Sequence, residues 1–416
     1  MKTLADENIP LAEELFGSLG EVTLVKGREV DEDFPGLATY DVLAIRSVTD
    51  VTPALVHAAR RARVIGTATI GTDHIDTAYI EEANAARAKP IEVFSAPGSN
   101  ADSVADYVWF ALAHVAETRG ERLHGRSLGI VGCGNCGSRV ARRAEGFGMD
   151  ILRNDPPRAE RETGFDSVPL EEALRADFVT LHVPLTEQEE SEWPTRGMIG
   201  PAELAMMRPG AVLVNSSRGT VVDSDALADA LRDGMIGGAV LDVFEGEPEP
   251  DEALIELPLL TTPHIAGYAV EGKRRGAIVI YEQACRALGI EPMDTSGMLT
   301  GEWDPPREEA VRISMEGETP FAADRAAQAL LKAVYDIEAT SRRLKASLET
   351  PRRGEAFDRM RRDYNRHAAR HELAVYRVRL DDSLPEDLQT AVRRRLEGFG
   401  VAITDEDAHY VLSATR

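Results

Sequence analysis

The sequence predicts an α/β protein with two doubly wound parallel-sheet domains and a small α+β module towards its C-terminal end. Three observations carry that reading. At 416 residues the chain exceeds what one hydrophobic core usually organises. From the start to about residue 266, short apolar runs alternate with stretches whose apolar residues recur at helical spacing. That alternation is the signature of parallel strands joined by crossover helices. Beyond about residue 321 it gives way to charged helical runs and one strand-like segment.

In the first domain the candidate strands are TLA at 3–5, VTLV at 22–25, DVLAIRS at 41–47, RVIGTAT at 63–69 and IEVFSAP at 91–97. PLAEELFGSL, TPALVHAARR and DTAYIEEANAA separate them and read as helices. Parallel sheets bind ligands at the carboxyl ends of their strands, so Arg46, Ser47 and Thr69 are site candidates by position. ADSVADYVWFALAHVAE then reads as a long apolar helix. It opens a second α/β domain whose strands lie in SLGIV, DILRN, DFVTLHV, GAVLVN and GAVLDV. GYAVEGKRRGAIVIYEQACRAL reads as a helix leaving that domain. Residues 291–320, rich in Pro, Gly and acidic residues, read as a linker or irregular entry. DRAAQALLKAVYDIEATSRRLKASL and FDRMRRDYNRHAAR read as helices, ELAVYRVRL as a strand and PEDLQTAVRRRLEGFG as a final helix. This module has no glycine-rich ligand loop, and subunit contact is the role expected of it. The domain bounds are 1–99 with 267–290, 100–266, and 291–416.

The net charge is −24, and only six residues are lysine. Such a field repels polyanions and argues against a nucleic-acid or anionic-membrane binder. A Lys-poor acidic surface fits both a salt-adapted protein and an ordinary acidic one, and composition leaves the two open. Three cysteines, Cys133, Cys136 and Cys285, are too few for a disulfide scaffold, so a reducing, cytoplasmic setting is expected. The first ten residues lack the apolar core of a signal peptide, and no stretch reaches the length of a membrane span.

Gly132-Cys133-Gly134-Asn135-Cys136-Gly137 fits G-x-G-x-x-G directly after a strand and at the start of a helix. Gly132 permits the tight turn, Gly134 lets backbone approach a pyrophosphate, and Gly137 lets helix and strand pack closely. The helix start then faces the phosphates with free N–H groups. Asp155 follows Gly137 by 18 residues, near the spacing at which an acid binds the adenosine ribose hydroxyls. An acid there repels the extra phosphate of NADP, so NAD is the expected cofactor. Cys133 and Cys136 also spell C-x-x-C, but they fill the variable positions of the turn and lack a second cysteine pair. They read as space-filling residues, and no metal site is expected.

Three further residues follow strands of the second domain: Arg218 after VLVNSS, Glu247 in LDVFEGEPEP and His264 in TTPHIAGY. Oxidising an α-hydroxy acid needs a cation to hold the carboxylate, a base for the hydroxyl proton and a carboxylate to orient that base. Arginine, histidine and glutamate match those needs in turn.

On GCGNCG, NSSRGTVVD, LDVFEGEP and PHIAGY the chain resembles the D-isomer-specific 2-hydroxyacid dehydrogenases. ADENIP, RSVT, GTATIGTDHID, SAPGSNADSVADYV, NDPPR and HIAGYAVEGKRRG narrow the resemblance to the branch that oxidises 4-phospho-D-erythronate on the way to pyridoxal phosphate. The resemblance implies that Arg218, Glu247 and His264 are catalytic, with His264 the proton donor and acceptor. It implies that Ser47, Thr69 and Tyr268 bind substrate, and that Asp155, Val183, Ser216, Ser217, Asp242 and Gly267 line the NAD beside the glycine turn. It further implies a substrate domain and an NAD domain facing across a cleft, homodimerisation through the C-terminal domain, and the products 2-oxo-3-hydroxy-4-phosphobutanoate and NADH. A 2-oxo acid acting as reoxidant is a further candidate partner.

A phosphorylated substrate must be drawn into an anionic protein by local cations. Arg46, with an arginine from 359–370 of a partner subunit, is the expected phosphate site. Two other readings stay open: a related dehydrogenase of phosphoglycerate or hydroxypyruvate and glyoxylate, and an NAD-sensing regulator without catalysis.

Overall fold

The computed structural model describes residues 1–189, 191–300, 308–313, 319–367 and 370–414, apart from the side chains of 365–367. The chain forms two compact units: Met1–Asn100 with the described residues of 269–303, and Ala101–Tyr268 with the described residues of 304–416.

The first unit is built on strands β1 (Lys2–Asp6), β2 (Glu21–Val25), β3 (Val42–Ile45), β4 (Val64–Thr67) and β5 (Glu92–Phe94). All pairs are parallel and the order is β2-β1-β3-β4-β5, the flavodoxin-like arrangement. One face buries Leu15 and Phe16 against Ile280 and Tyr281 of the helix Val270–Leu288. Phe16 meets Tyr281 edge-on at 5.8 Å, and the Tyr281 hydroxyl lies 2.8 Å from Ser18 Oγ. The other face buries Leu43, Ile45, Leu55, Ile65 and Ile80. Thr52 and Asp76 cap their helices by accepting from the N–H groups of Leu55 and Tyr79, at 3.2 and 2.9 Å.

The second unit opens with the helix Ala101–Arg119, buried along most of its length, Trp109, Phe110 and Leu112 included. Its six-stranded sheet comprises β6 (Ser127–Val131), β7 (Asp150–Asn154), β8 (Phe178–Leu181), β9 (Val212–Asn215), β10 (Gly238–Leu241) and β11 (Leu260–Thr261). The order β7-β6-β8-β9-β10-β11 is parallel throughout. Strand order reverses between β6 and β8, so the turn after β6 lies at the topological switch point where such sheets bind ligands. Val131 pairs with Leu181, which sets Gly132 and His182 side by side.

A third, parallel sheet has the order β12-β15-β13-β14, from β12 (Glu309–Ile313), β13 (Arg377–Leu380), β14 (Ala402–Ile403) and β15 (Tyr410–Ala414). With the two larger sheets it completes the expected α/β fold class. Two local expectations need correcting. Residues 309–313, inside the segment read as irregular, form an edge strand; only Ile313 of the five is buried, so their alternation is faint. The neighbouring 301–307 and 314–318 lie outside the described residues. The strand expected over ELAVYRVRL is also shorter. Residues Leu373–Val375 make a 3-10 turn, because Leu373 is buried with its N–H given to Asp106 at 2.8 Å, and strand begins only at Arg377.

The core of the six-stranded sheet extends into the C-terminal third, where Leu344, Leu348, Ala356 and Phe357 join Leu241 and Phe244. Phe357, in the helix Arg353–His367, meets Phe244 edge-on at 6.1 Å. That contact lays the helix along the loop that follows β10. In the described residues no helix is long and apolar enough to cross a membrane.

Candidate active site

The glycine turn joins β6 to the helix Asn135–Phe147. Gly132 has φ +86°, and a Cβ there would press on the His182 carbonyl and on Val183 Cγ1. A Cβ on Gly137 would run into the Gly132 carbonyl, whereas one on Gly134 would meet nothing within 4 Å. The outer two glycines are thus required by packing, and the middle one leaves open space above the helix start, where Asn135 and Cys136 lie. Asp155 caps the helix Pro156–Arg161 and turns its other oxygen to the Cys133 N–H at 2.8 Å, which places the acid beside the turn. Arg158 is clamped by Glu162 at 2.7 and 3.0 Å and also donates to Ser138 Oγ. Burial pushes the Cys133 and Cys136 thiols up to about 12 and about 11, with Asp155 adding to the effect at Cys133. Both stay un-ionised at neutral pH, which makes them poor nucleophiles. Burial also lowers His182, after β8, to about 4, so its ring stays neutral 2.9 Å from Thr180 Oγ1.

After β9, Asn215 organises the next turn. Its Oδ1 accepts from the N–H and hydroxyl of Ser217 at 3.1 and 2.8 Å, and its amide donates to the Arg218 carbonyl at 2.9 Å. Arg218 donates to the Ser217 carbonyl at 3.0 Å. Ser216 Oγ is buried without a hydrogen-bond partner. A buried, unmatched hydroxyl at the carboxyl end of β9 fits a cofactor that carries hydrogen-bonding groups. A Cβ on Gly219 would collide with the Phe244 backbone, so this glycine allows the Arg218 turn to approach the loop bearing Glu247.

His264 Nδ1 lies 2.8 Å from Glu247 Oε2, and the other Glu247 oxygen accepts from the Phe244 N–H at 2.9 Å. Burial would push the Glu247 carboxyl up, but His264, Arg361 and that N–H outweigh it and hold the group below the usual carboxylate range. The glutamate is therefore an anion at neutral pH. His264 has φ +54°, a left-handed conformation uncommon for a side chain of its size. The strand end fixes it: the His264 N–H donates to the Asp242 carbonyl at 2.7 Å. The buried Asp242 carboxylate accepts from the Ile265 and Ala266 N–H groups, both at 2.8 Å, and from the Thr262 hydroxyl at 2.6 Å. Asp242, expected to line the cofactor, thus has its carboxylate engaged in holding the His264 loop. With Nδ1 taken by Glu247, Nε2 is the histidine nitrogen left for a substrate, and the side chain is 36% exposed.

Gly267 and Tyr268 continue the same loop, and the Tyr268 N–H donates to the Ile265 carbonyl at 2.8 Å. Arg361 Nη2 donates to the Tyr268 hydroxyl at 3.4 Å, and its guanidinium carbon lies 6.0 Å from the Tyr268 ring centre. From behind, buried Arg370 donates to the carbonyls of Ala266 and Ser103. The sequence reading assigned an arginine of this region to a partner subunit; here Arg361 of the same chain stands beside Glu247 and Tyr268. Phe357, Arg361 and Tyr364 share one face of their helix by spacing, with Phe357 and Tyr364 buried. That periodicity was the available signal.

Arg46, Ser47 and Thr69 belong to the first unit. Arg46 lies 3.9 Å from buried Asp6, Ser47 is exposed, and Thr69 Oγ1 lies 2.6 Å from Thr67 Oγ1. Among the described residues no group of three His, Cys, Asp or Glu side chains could hold a metal ion.

Residues 99–266 match the family model for the NAD-binding domain of D-isomer-specific 2-hydroxyacid dehydrogenases. Over 404 residues the chain is 45% identical to an erythronate-4-phosphate dehydrogenase of Salinibacter ruber, covering 95% of this chain and 98% of that one. It is 39% identical to the Chromohalobacter salexigens protein of the same name, with 97% and 99% covered. Among solved structures, the D-lactate dehydrogenase of Aquifex aeolicus complexed with NAD and lactic acid superposes with a TM-score of 0.55 at 25% identity, over 70% of this chain and 96% of that one.

Proposed function

We propose that this chain, which belongs to the erythronate-4-phosphate dehydrogenase family within the D-isomer-specific 2-hydroxyacid dehydrogenases, oxidises 4-phospho-D-erythronate to 2-oxo-3-hydroxy-4-phosphobutanoate with NAD. The observation that carries the catalytic assignment is the 2.8 Å pair between His264 Nδ1 and Glu247, which leaves Nε2 to act as base. Arg218 holds the substrate carboxylate through its fork of donors and polarises the oxygen at C2. His264 Nε2 takes the C2 hydroxyl proton, and Glu247, already anionic, stabilises the imidazolium that forms. NAD, when bound, accepts the hydride from C2. The turn at Gly132–Gly137 receives its pyrophosphate, Asp155 its adenosine ribose, and Ser216 offers an unmatched hydroxyl. Ser47, Thr69, Arg46 and Tyr268 are the residues assigned to the substrate.

Turnover across a panel of 2-hydroxy acids tests this function. A preference for 4-phospho-D-erythronate over 3-phosphoglycerate and glycerate supports it, and the reverse assigns the chain to a related dehydrogenase. His264→Ala should abolish NADH formation while NAD binding persists; a sensor would show no turnover to abolish.

The chain is further assigned to the cytoplasm and to a homodimer formed through residues 291–416. The dimer rests on the resemblance of that segment, in which β12 is an edge strand among the described residues, and the cytoplasmic assignment on the three cysteines. Sedimentation of the full chain at the mass of one copy would refute the dimer. A 2-oxo acid is assigned as reoxidant of NADH held in the site, and 2-oxoglutarate should restore oxidised cofactor after a single turnover.

A further inference from the structure

We infer that Arg361, supplied by the C-terminal helix of the same chain, is the cation that receives the phosphate of the substrate, with the Tyr268 hydroxyl beside it. The inference deepens the function proposed above and rests on it.

The argument starts from an incompletely matched guanidinium. Arginine carries five N–H donors and cannot discharge at physiological pH. The Nε of Arg361 is buried and has no hydrogen-bond partner. Its hydrogen bond to the Tyr268 hydroxyl is long, at 3.4 Å, and the recipient is uncharged. Glu247 and Asp358 both act on the guanidinium's charge, but both Glu247 oxygens are already engaged, by His264 and by the Phe244 N–H. A partly buried guanidinium with an unmatched N–H is costly, and natural sites resolve that cost by pairing it with an acceptor.

The surroundings specify the missing anion. Tyr268 follows His264 by four residues on one loop, and Glu247, the partner of His264, acts on the Arg361 that donates to the Tyr268 hydroxyl, so base and guanidinium serve one site. Arg218 is assigned to the substrate carboxylate, which leaves the phosphate as the second anionic group to be matched. A guanidinium fork binds phosphate oxygens in a bidentate way that an ammonium cannot reproduce. The position of Arg361 is also held firmly. One turn earlier Phe357 packs on Phe244, and one turn later Tyr364 is buried with its ring 6.4 Å from Tyr335. The C-terminal module thereby contributes to substrate choice from within its own chain.

The test measures binding to NADH-loaded protein by calorimetry, where a hydroxy acid cannot be oxidised. The ligands are 4-phospho-D-erythronate and D-erythronate, and the proteins are wild type, Arg361→Gln, Arg361→Lys and Tyr268→Phe. Arg361→Gln should weaken the phosphorylated acid on the order of 10- to 100-fold and D-erythronate by less than about threefold. Arg361→Lys should fall between wild type and Arg361→Gln, because it keeps the charge and loses the fork. Equal weakening of both acids, or no weakening of either, would overturn the inference. If Arg361→Gln does not fold, Arg361→Lys and Tyr268→Phe decide by the same selectivity. Failure of the proposed function shows separately, as wild type that binds 4-phospho-D-erythronate but makes no NADH from it with NAD; the calorimetric selectivity still decides for Arg361. Wild type that binds neither acid overturns both.

Discussion

Replacing Glu247 by Gln keeps the shape of the His264 partner and removes its charge. The contact is 2.8 Å long, and the second carboxylate oxygen accepts from the Phe244 N–H. The variant amide can keep that bond with its one oxygen, which turns its NH2 towards His264 Nδ1, so the loss includes the acceptor as well as the charge. At 2.8 Å and an effective dielectric constant of about 20, the attraction between carboxylate and imidazolium is about 6 kcal/mol. The His264 and Glu247 side chains are 36% and 19% exposed, so solvent screening brings that down to between the ~1 kcal/mol of an exposed pair and the ~3–5 kcal/mol of a buried one, about 3 kcal/mol at most. This energy is present when the imidazolium forms and absent while the ring is neutral, so it lowers the barrier. About 3 kcal/mol corresponds to roughly a hundredfold in rate. Initial rates of NADH formation from 4-phospho-D-erythronate should therefore show kcat reduced by up to about a hundredfold in Glu247→Gln. NAD affinity, followed by fluorescence titration, should be unchanged. A kcat within about threefold of wild type would refute the claim that Glu247 stabilises a proton acquired by His264.

Three further outcomes are expected. Asp155→Ala should lower NAD affinity on the order of tenfold or more and narrow the preference for NAD over NADP, because the acid that repels the additional phosphate is gone while Arg158 remains; paired titrations with both cofactors check this. Gly134→Ala should fold with near wild-type thermal stability yet lose NAD affinity, whereas Gly137→Ala, whose Cβ meets the Gly132 carbonyl, should lose about 1–3 kcal/mol of stability; thermal melts and NAD titration separate the two. His182 titrates at about 4 in the folded chain and near 6.5 when exposed, so the unfolded state binds its proton first and stability falls as pH drops from about 6.5 towards 4. The full loss at that site is about 3 kcal/mol, and His182→Gln should flatten the decline of Tm over this window.

The legible part of the molecule was the part encoded locally. The dinucleotide turn could be read because its three glycines answer constraints spanning six residues, and the structure shows Gly132 and Gly137 meeting those constraints. Parallel α/β layering was legible because the strands are short continuous apolar runs, buried on both faces, between helices whose apolar residues recur at helical spacing. Arg218, Glu247 and His264 were recognisable as types in an order, but their assembly depends on contacts no local pattern records. The Gly219 approach to Phe244 and the hold of Asp242 on the His264 loop are two such contacts. The C-terminal third was the least legible. Strand β12 buries a single side chain and so lacks a clear alternation. Arg361 reaches the site only because Phe357 docks on a loop more than a hundred residues earlier in the chain. A charged helix gives no sign of such a partner beyond one apolar face.

The central claim, that Arg218, Glu247 and His264 perform NAD-dependent oxidation of a phosphorylated 2-hydroxy acid, is tested most directly by one measurement. NADH absorbance is followed through a single turnover when NAD-loaded protein meets 4-phospho-D-erythronate, with wild type and His264→Ala side by side. One NADH per site from wild type, and none on the same timescale from a His264→Ala protein that still holds NAD, is the predicted result. No NADH from wild type, or equal rates from the two proteins, would contradict it.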